Sequence, residues 1–174
     1  MAQGIVHHVD DDRWFHGTEA FVDTNMRFAV ELRDLLPGDA GFRPTFVGHI
    51  LIEMLLDSFW IRDDDQSAQR YYDAIETVGY ETVERCVQVI TGKSIDGLPA
   101  VMRRFAEARF LYDYLDDDKL LFRLNQVMKR VRLAQLPVEV RDWIPEARKL
   151  VESRRTRLLE SPGDRTPFPV FPSP

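Results

Sequence analysis

The chain has 174 residues, of which 44% are apolar and 30% are charged. These proportions exclude a disordered chain, and the length is sufficient to bury a substantial core. The net charge of −6 is unevenly distributed, because residues 1–100 carry 18 acidic and 8 basic side chains while residues 101–174 carry 11 acidic and 15 basic ones. The acidic first part disfavours nucleic-acid binding, since neutralising phosphates supplies most of that affinity.

Apolar residues recur at helical spacing along almost the whole chain. The first pattern predicts a helix over residues 18–36, with Thr18 as its N-cap and Pro37-Gly38 at its end. The second, over residues 44–62, is apolar on nearly every side, which predicts a central, buried helix. Pro145 is expected to kink or restart the last helix. The remaining predicted helices cover residues 67–78, 81–91, 99–114, 117–134 and 138–160.

The sequence therefore predicts an all-α fold, a compact multi-helix bundle over residues 1–161. Residues 162–174 contain five of the ten prolines and no helical spacing, which predicts an extended, Pro-rich C-terminal tail. No apolar run approaches the ~20 residues of a membrane helix, and no secretory signal pattern begins the chain. The single cysteine, Cys86, cannot form an internal disulfide, which favours a cytoplasmic location.

Two stretches repeat one arrangement of titratable residues. His8, Asp12 and His16 are spaced four residues apart, and so are His49, Glu53 and Asp57. On a helix, residues four apart share a face at about 6 Å, so each adjacent pair could hold a cation. Residues eight apart are separated by about 12 Å, so one ion cannot readily take all three ligands of one stretch. Two packed helices could instead supply two ligands each, or the two stretches could hold two ions.

The second stretch is the more informative, because His49, Glu53 and Asp57 interrupt an otherwise apolar helix. A buried carboxylate is normally paired or bound to a metal. The imidazole and carboxylate donors suit Mn, Fe, Zn or Ni. The alternatives are that His49 is a hydrogen-bonded core histidine, that Glu53 and Asp57 pair with arginines of neighbouring helices, and that Asp10–Asp12 form a solvated helix face.

These pieces, in this order, resemble the acyl carrier protein phosphodiesterase family, relatives of the HD-domain metal phosphohydrolases. The segment Gly4–His16 resembles the family's G-I-x-x-H-R-x-I-D-x-x-T-D, with His8 on its histidine, Asp12 on an aspartate and His16 in place of the next aspartate. The segment His49–Trp60 resembles D-x-x-x-D-H-F-L…W, with Glu53-Met54 replacing the Asp-His pair. Weaker echoes follow at residues 110–114 and 124–130, so the resemblance covers roughly residues 4–135.

The resemblance implies an HD-domain-like helical fold, a divalent cation, of which manganese is typical, and hydrolysis of a phosphodiester on an acyl carrier protein. With the spacing, it makes His8, Asp12, His49, Glu53 and Asp57 candidate metal ligands or base, with Asp12 and Glu53 as candidate catalytic residues. His16 is a candidate either as a ligand or as a residue that supports the ligands. An acidic carrier protein would then dock on the basic C-terminal half, whose candidate residues are Lys129, Arg130, Arg132, Arg148, Lys149, Arg154, Arg155 and Arg157. The alternative reading of those charges is the solvated face of amphipathic helices.

Two hypotheses about function follow. The first is a metal-dependent hydrolase of phosphoester bonds. The second is a non-catalytic helical binding or regulatory protein that retains the fold, motivated by the replaced Asp-His pair and by a chain that starts after the family's first His-bearing helix. A redox di-metal protein is a third possibility, although the Glu-x-x-His pair typical of di-iron bundles is missing.

Overall fold

The computed structural model describes residues 2–36, 38 and 41–160, and every secondary-structure element in those ranges is helical. The predicted all-α class is therefore confirmed, whereas the predicted tail over residues 162–174 lies outside the described residues. The α-helices, in chain order, are α1 (Ala2–Gly17), α2 (Glu19–Leu35), α3 (Pro44–Asp63), α4 (Ser67–Val78), α5 (Tyr80–Thr91), α6 (Leu98–Ala108), α7 (Asp117–Arg130) and α8 (Val140–Leu158). A 3₁₀ helix, Phe110–Leu115, precedes α7.

Helix α3 is the centre of the molecule, as its all-round apolar pattern predicts. Ten of its residues are buried, and α2, α7, α8 and the 3₁₀ helix pack around it. By length and composition alone this helix is also apolar enough to cross a membrane, with a mean hydropathy of 1.2. Its position in the core accounts for this apolarity, because a helix covered on most sides needs few polar residues.

Helices α2 and α3 pack closely at Gly48, which directly precedes His49. A Cβ atom at Gly48 would lie 2.6 Å from Oδ1 of Asn25 and 3.0 Å from Cβ of Phe28. Among the described side chains, Asn25 Oδ1 is also the buried polar atom that has no hydrogen-bond partner. The absence of a side chain at position 48 therefore sets the distance between the two helices beside His49.

We expect Gly48→Ala to destabilise the protein by about 1–2 kcal/mol, because overpacking outweighs the better helix propensity of alanine. Adding Asn25→Ala should recover part of that loss, since the nearest clashing atom is then gone. Gly4→Ala is the matched control, because nothing lies within 4 Å of its added Cβ. Urea unfolding of the four proteins measures these differences, and equal stability of Gly48→Ala and the parent would contradict the tight packing.

Helix α8 packs against both α2 and α3 and completes the core. It was predicted to kink or restart at Pro145, but it runs as one helix from Val140 to Leu158. Pro145 is the sixth residue of α8, so its missing N–H removes a single early bond, the one that Arg141 would accept. The predicted restart is therefore wrong.

Two other predicted ends differ from the structure. The helix predicted over residues 99–114 stops at Ala108, because Arg109 adopts a left-handed conformation with φ 44°. The Arg109 guanidinium lies over the rings of Tyr72 and Tyr112. Helix α7 ends at Arg130 rather than 134. There Arg132 is left-handed, and the N–H groups of Arg132 and Leu133 donate to the carbonyls of Lys129 and Met128 in a Schellman motif.

Candidate metal site

The exposed side of α3 presents two residues of the predicted second stretch. His49 and Glu53 are one helical turn apart, and Nε2 of His49 lies 3.1 Å from Oε1 of Glu53. Their side chains are 32% and 39% exposed, so solvent reaches both. The spacing of four residues thus produces the predicted pair, and neither the core-histidine alternative nor an arginine partner for Glu53 describes it.

The end of α1 brings a second histidine to the same carboxylate. Nε2 of His16 lies 2.7 Å from Oε1 of Glu53, and the centroids of the His16 and His49 rings are 4.1 Å apart. Phe21 contacts both rings, with centroid distances of 4.8 Å and 5.1 Å. We call His16, His49 and Glu53 the His16 cluster.

The junction between α1 and α2 positions His16. Thr18 is the N-cap of α2, as predicted, and its Oγ1 accepts a hydrogen bond from the N–H of Phe21. The Thr18 hydroxyl also donates to the carbonyl of Phe15, and the rings of Phe15 and Phe21 pack edge to face. These contacts fix the direction in which α1 leaves the body, and therefore which of its histidines meets α3.

Asp12 lies behind His16, one turn earlier on α1. Its Oδ1 is 3.4 Å from Nδ1 of His16, on the side of the ring away from Glu53. In metal sites a carboxylate commonly holds the second ring nitrogen of a ligating histidine, which fixes the tautomer and directs Nε2 at the ion. Asp12, predicted as a ligand and a catalytic residue, thus lies beside the second ring nitrogen of His16, a position from which a carboxylate can orient the ring.

Glu53 is held as a carboxylate. Burial raises the pKa of Glu53, but hydrogen bonds from His49 and His16, together with their charges, outweigh burial and hold that pKa below its ordinary value. Its negative charge is thus maintained at neutral pH, which a cation would require.

The donor set fits a single divalent transition ion. One ligand atom from each of His16, His49 and Glu53 lies within 4.8 Å of the other two. Zinc bonds of 2.0–2.2 Å in a tetrahedral site separate neighbouring ligand atoms by about 3.3 Å. Glu53 Oε1 lies at comparable distances from the two histidine Nε2 atoms, 2.7 Å and 3.1 Å. Two histidines and one carboxylate leave coordination positions open for water or substrate.

The structure gathers three of the six predicted ligands, places Asp12 directly behind His16, and leaves His8 and Asp57 outside the cluster. His8 is exposed on α1, two turns before His16 and about 12 Å away along the helix axis. Asp57 lies one turn beyond Glu53 on α3, outside the cluster. One ion at the His16 cluster therefore has no geometric reason to recruit His8 or Asp57.

Asp57 has a distinct environment beside the cluster. Burial, followed by the negative charge of Glu53, raises the pKa of Asp57 to about 7. The charge of Asp57 in turn contributes, after burial, to the raised pKa values of the Tyr71 and Tyr114 phenols. The Asp57 carboxyl is thus close to both phenols and is protonated over a wider pH range than an ordinary aspartate.

Sequence reasoning missed the residues that shape the site without carrying its charge. Phe21 lies in the helix predicted over residues 18–36, and nothing in its spacing indicated that it would contact two histidines. Gly48 offered a signal, because a glycine inside a strongly apolar helix often marks a close approach of backbone or side chains.

The basic residues of the C-terminal half divide into those bonded within the body, which include Arg154 as a donor to Thr24, and exposed ones, which include Lys149 and Arg157. Arg148 donates to Ser58, Asp117 and the carbonyl of Tyr114, and Arg155 pairs with Asp63, so both stabilise the body. Lys129, Arg130 and Arg132, at the end of α7, are exposed.

Comparisons of the chain with protein-family models, with curated proteins and with solved structures give no match.

Proposed function

We propose that this protein is a metal-dependent hydrolase of phosphoester bonds, with one divalent transition ion held by His16, His49 and Glu53. The observation that carries the proposal is the convergence of two imidazole Nε2 atoms, one from α1 and one from α3, on a single carboxylate oxygen. Such a bound ion would lower the pKa of a water molecule and offset phosphoryl charge.

The residues around the cluster have definite tasks in this proposal. Asp12 orients His16 through Nδ1. Phe21 packs against both imidazoles and restricts their rotation. The partial exposure of His49 and Glu53 leaves the ion accessible to a substrate. The choice of a phosphoester, of manganese among Mn, Fe, Zn and Ni, and of an acyl carrier protein as a possible substrate rests on the sequence resemblance, as does an HD-domain-like helical arrangement.

An acidic carrier protein, if it is the substrate, would be expected at Lys129, Arg130 and Arg132 rather than at Arg148 or Arg155. The first three side chains are exposed, whereas the last two bond to other parts of the same chain. We also retain the cytoplasmic location as part of the proposal.

Metal content and metal affinity test the site directly. We expect protein purified after metal-replete expression to contain about one ion per chain, as measured by mass spectrometry. His16→Ala and Glu53→Ala should each weaken binding by more than about 100-fold, beyond the 10–100-fold typical of an orienting partner. Asp12→Asn should fall within that smaller range.

His8→Ala is the matched control, because His8 is on the same helix but outside the cluster. Binding that is lost equally in His8→Ala and His16→Ala would contradict the site. The protein is then loaded with Mn, Fe, Zn or Ni, and its hydrolysis of p-nitrophenyl phosphate and bis-p-nitrophenyl phosphate is measured. This tests the reaction separately from binding of the ion.

The second candidate is a non-catalytic helical binding or regulatory protein. It is favoured by the mutual hydrogen bonding of His16, His49 and Glu53, which satisfies the carboxylate without an ion. A protein that binds no metal, and that loses stability in Glu53→Ala, would support this candidate over the hydrolase.

A further inference from the structure

The first three turns of α1 project from the body. The described side chains of residues 3–10 are all exposed, and the partly buried residues of α1 are Asp11 and Trp14–His16, toward its junction with α2. We call residues 2–12 the arm. An isolated helix of this length is marginal in water, because its stability ordinarily comes from burying one face. A helical arm therefore needs a surface to cover it.

The arm carries an apolar face that nothing in the described part of the chain covers. Ile5, Val6 and Val9 are 45%, 57% and 47% exposed. Ile5, Val9 and Asp12 follow one another at spacings of four and three residues, so they lie along one face of the helix. The arm face thus reads apolar, apolar, acidic.

A matching face lies on the outer side of α2. Val22, Met26 and Val30, which we call the α2 stripe, are 48%, 52% and 53% exposed and lie four residues apart. Arg33 continues the same face three residues after Val30 and is exposed. Met26, Val30 and Arg33 therefore read apolar, apolar, basic, with the same spacings of four and three.

We propose that the arm of one copy of this chain docks on the α2 stripe of a second copy, and that the second arm docks reciprocally on the first. Laid side by side in parallel, the two faces set Ile5 against Met26, Val9 against Val30, and Asp12 against Arg33. The match in spacing, hydrophobicity and charge selects the α2 stripe of another copy as the occupant.

The reciprocal arrangement is needed for sufficient area. A stable specific interface buries about 1,200–2,000 Å² in total, which one short helix-on-helix contact does not reach. Two identical contacts related by a twofold axis double the area, and such isologous pairing is the commonest form of homodimer. An anionic membrane is disfavoured as the occupant, because Asp10, Asp11 and Asp12 border the apolar face of the arm.

Sedimentation equilibrium of the full chain tests the proposal. We expect a concentration-dependent dimer whose dissociation constant rises by about 100-fold or more in Val9→Asp and in Met26→Asp, since each buries a charge among apolar side chains. Val89→Asp is the matched control, because Val89 is 79% exposed on α5, away from both faces. All three sites are exposed in the monomer, so circular dichroism should show unchanged folding.

A mixing experiment identifies the pairing. Val9→Asp mixed with Met26→Asp can form a heterodimer with one intact contact, whereas each variant alone has none. We therefore expect a 1:1 mixture to associate more strongly than either variant by itself. Arg33→Glu should also weaken the dimer by placing like charges together.

Three results would overturn the proposal. The parent chain could remain monomeric at high micromolar concentration. Val9→Asp could abolish association while Met26→Asp leaves it intact, which would show arm-to-arm pairing. Met26→Asp could abolish it while Val9→Asp does not, which would show that another segment or partner covers the α2 stripe.

Discussion

Replacing Asp57 by asparagine is expected to stabilise the protein at pH above about 7, by up to about 4 kcal/mol. The folded chain keeps the Asp57 proton until its pKa of about 7, whereas the unfolded chain loses it near 3.8. Between those values the unfolded state is favoured progressively, so stability contributed by the protonated group is lost as the pH rises. Asparagine has no such proton to lose, and it is similar in size.

Chemical denaturation from pH about 4 to about 8, with a chelator present, measures the effect. The parent should lose stability across that window, and Asp57→Asn should lose clearly less. Asp23→Asn, on the exposed side of α2, should follow the parent. If Asp57→Asn is no more stable than the parent at the upper end of the range, Asp57 is charged and partnered in the folded protein.

Replacing Arg148 by methionine is expected to cost about 2–4 kcal/mol. The guanidinium donates to Ser58 Oγ at 2.7 Å, to Asp117 Oδ1 at 2.7 Å and to the carbonyl of Tyr114 at 3.1 Å, and thereby joins α8 to α3, α7 and the 3₁₀ helix. Both charged side chains are about three-quarters covered, with exposures of 23% and 24%. Methionine would fill much of the space and leave the Asp117 carboxylate without its partner.

The neighbouring Lys149→Met is the matched control. Lys149 pairs with Glu146 at the surface, where both side chains are largely exposed, and such pairs contribute little. Urea unfolding should therefore separate the two variants clearly. Equal stability of Arg148→Met and Lys149→Met would mean that the Arg148 bonds add nothing net, and would return Arg148 to the set of residues available for an acidic partner.

Local sequence signals predicted α2 to α8, several of whose ends are decided by local chemistry, but no helix was predicted over Ala2–Gly17, where α1 lies. Thr18 caps α2, Asp116 caps α7 by accepting from the N–H of Lys119, and Gly92 ends α5 in a left-handed conformation. The break at Arg109 could not be predicted in this way. It depends on Tyr72, whose hydroxyl accepts from the N–H of Leu111, 39 residues away in sequence.

The candidate site was likewise predictable only where spacing along one helix decides it. The His49–Glu53 pair follows from a spacing of four on one helix, and it was predicted. The selection of His16 over His8 depends on the angle between α1 and α2 at Thr18, which helical spacing does not encode. The surroundings of the Asp57 and Asp12 carboxyl groups depend on how the helices pack, which spacing along one helix does not encode.

The donors of the candidate site come from α1 and α3, and α1 is joined to the rest of the chain through Thr18 and makes few other contacts with it. An ion bound there would act as a cross-link between α1 and α3, so its binding free energy would also hold α1 against the body. A second copy that binds the arm and holds α1 in the ion-binding orientation would raise the affinity for the ion. By thermodynamic reciprocity, the bound ion would then strengthen dimerisation by that same factor. Metal binding and self-association of this protein would then both depend on one equilibrium, between orientations of α1.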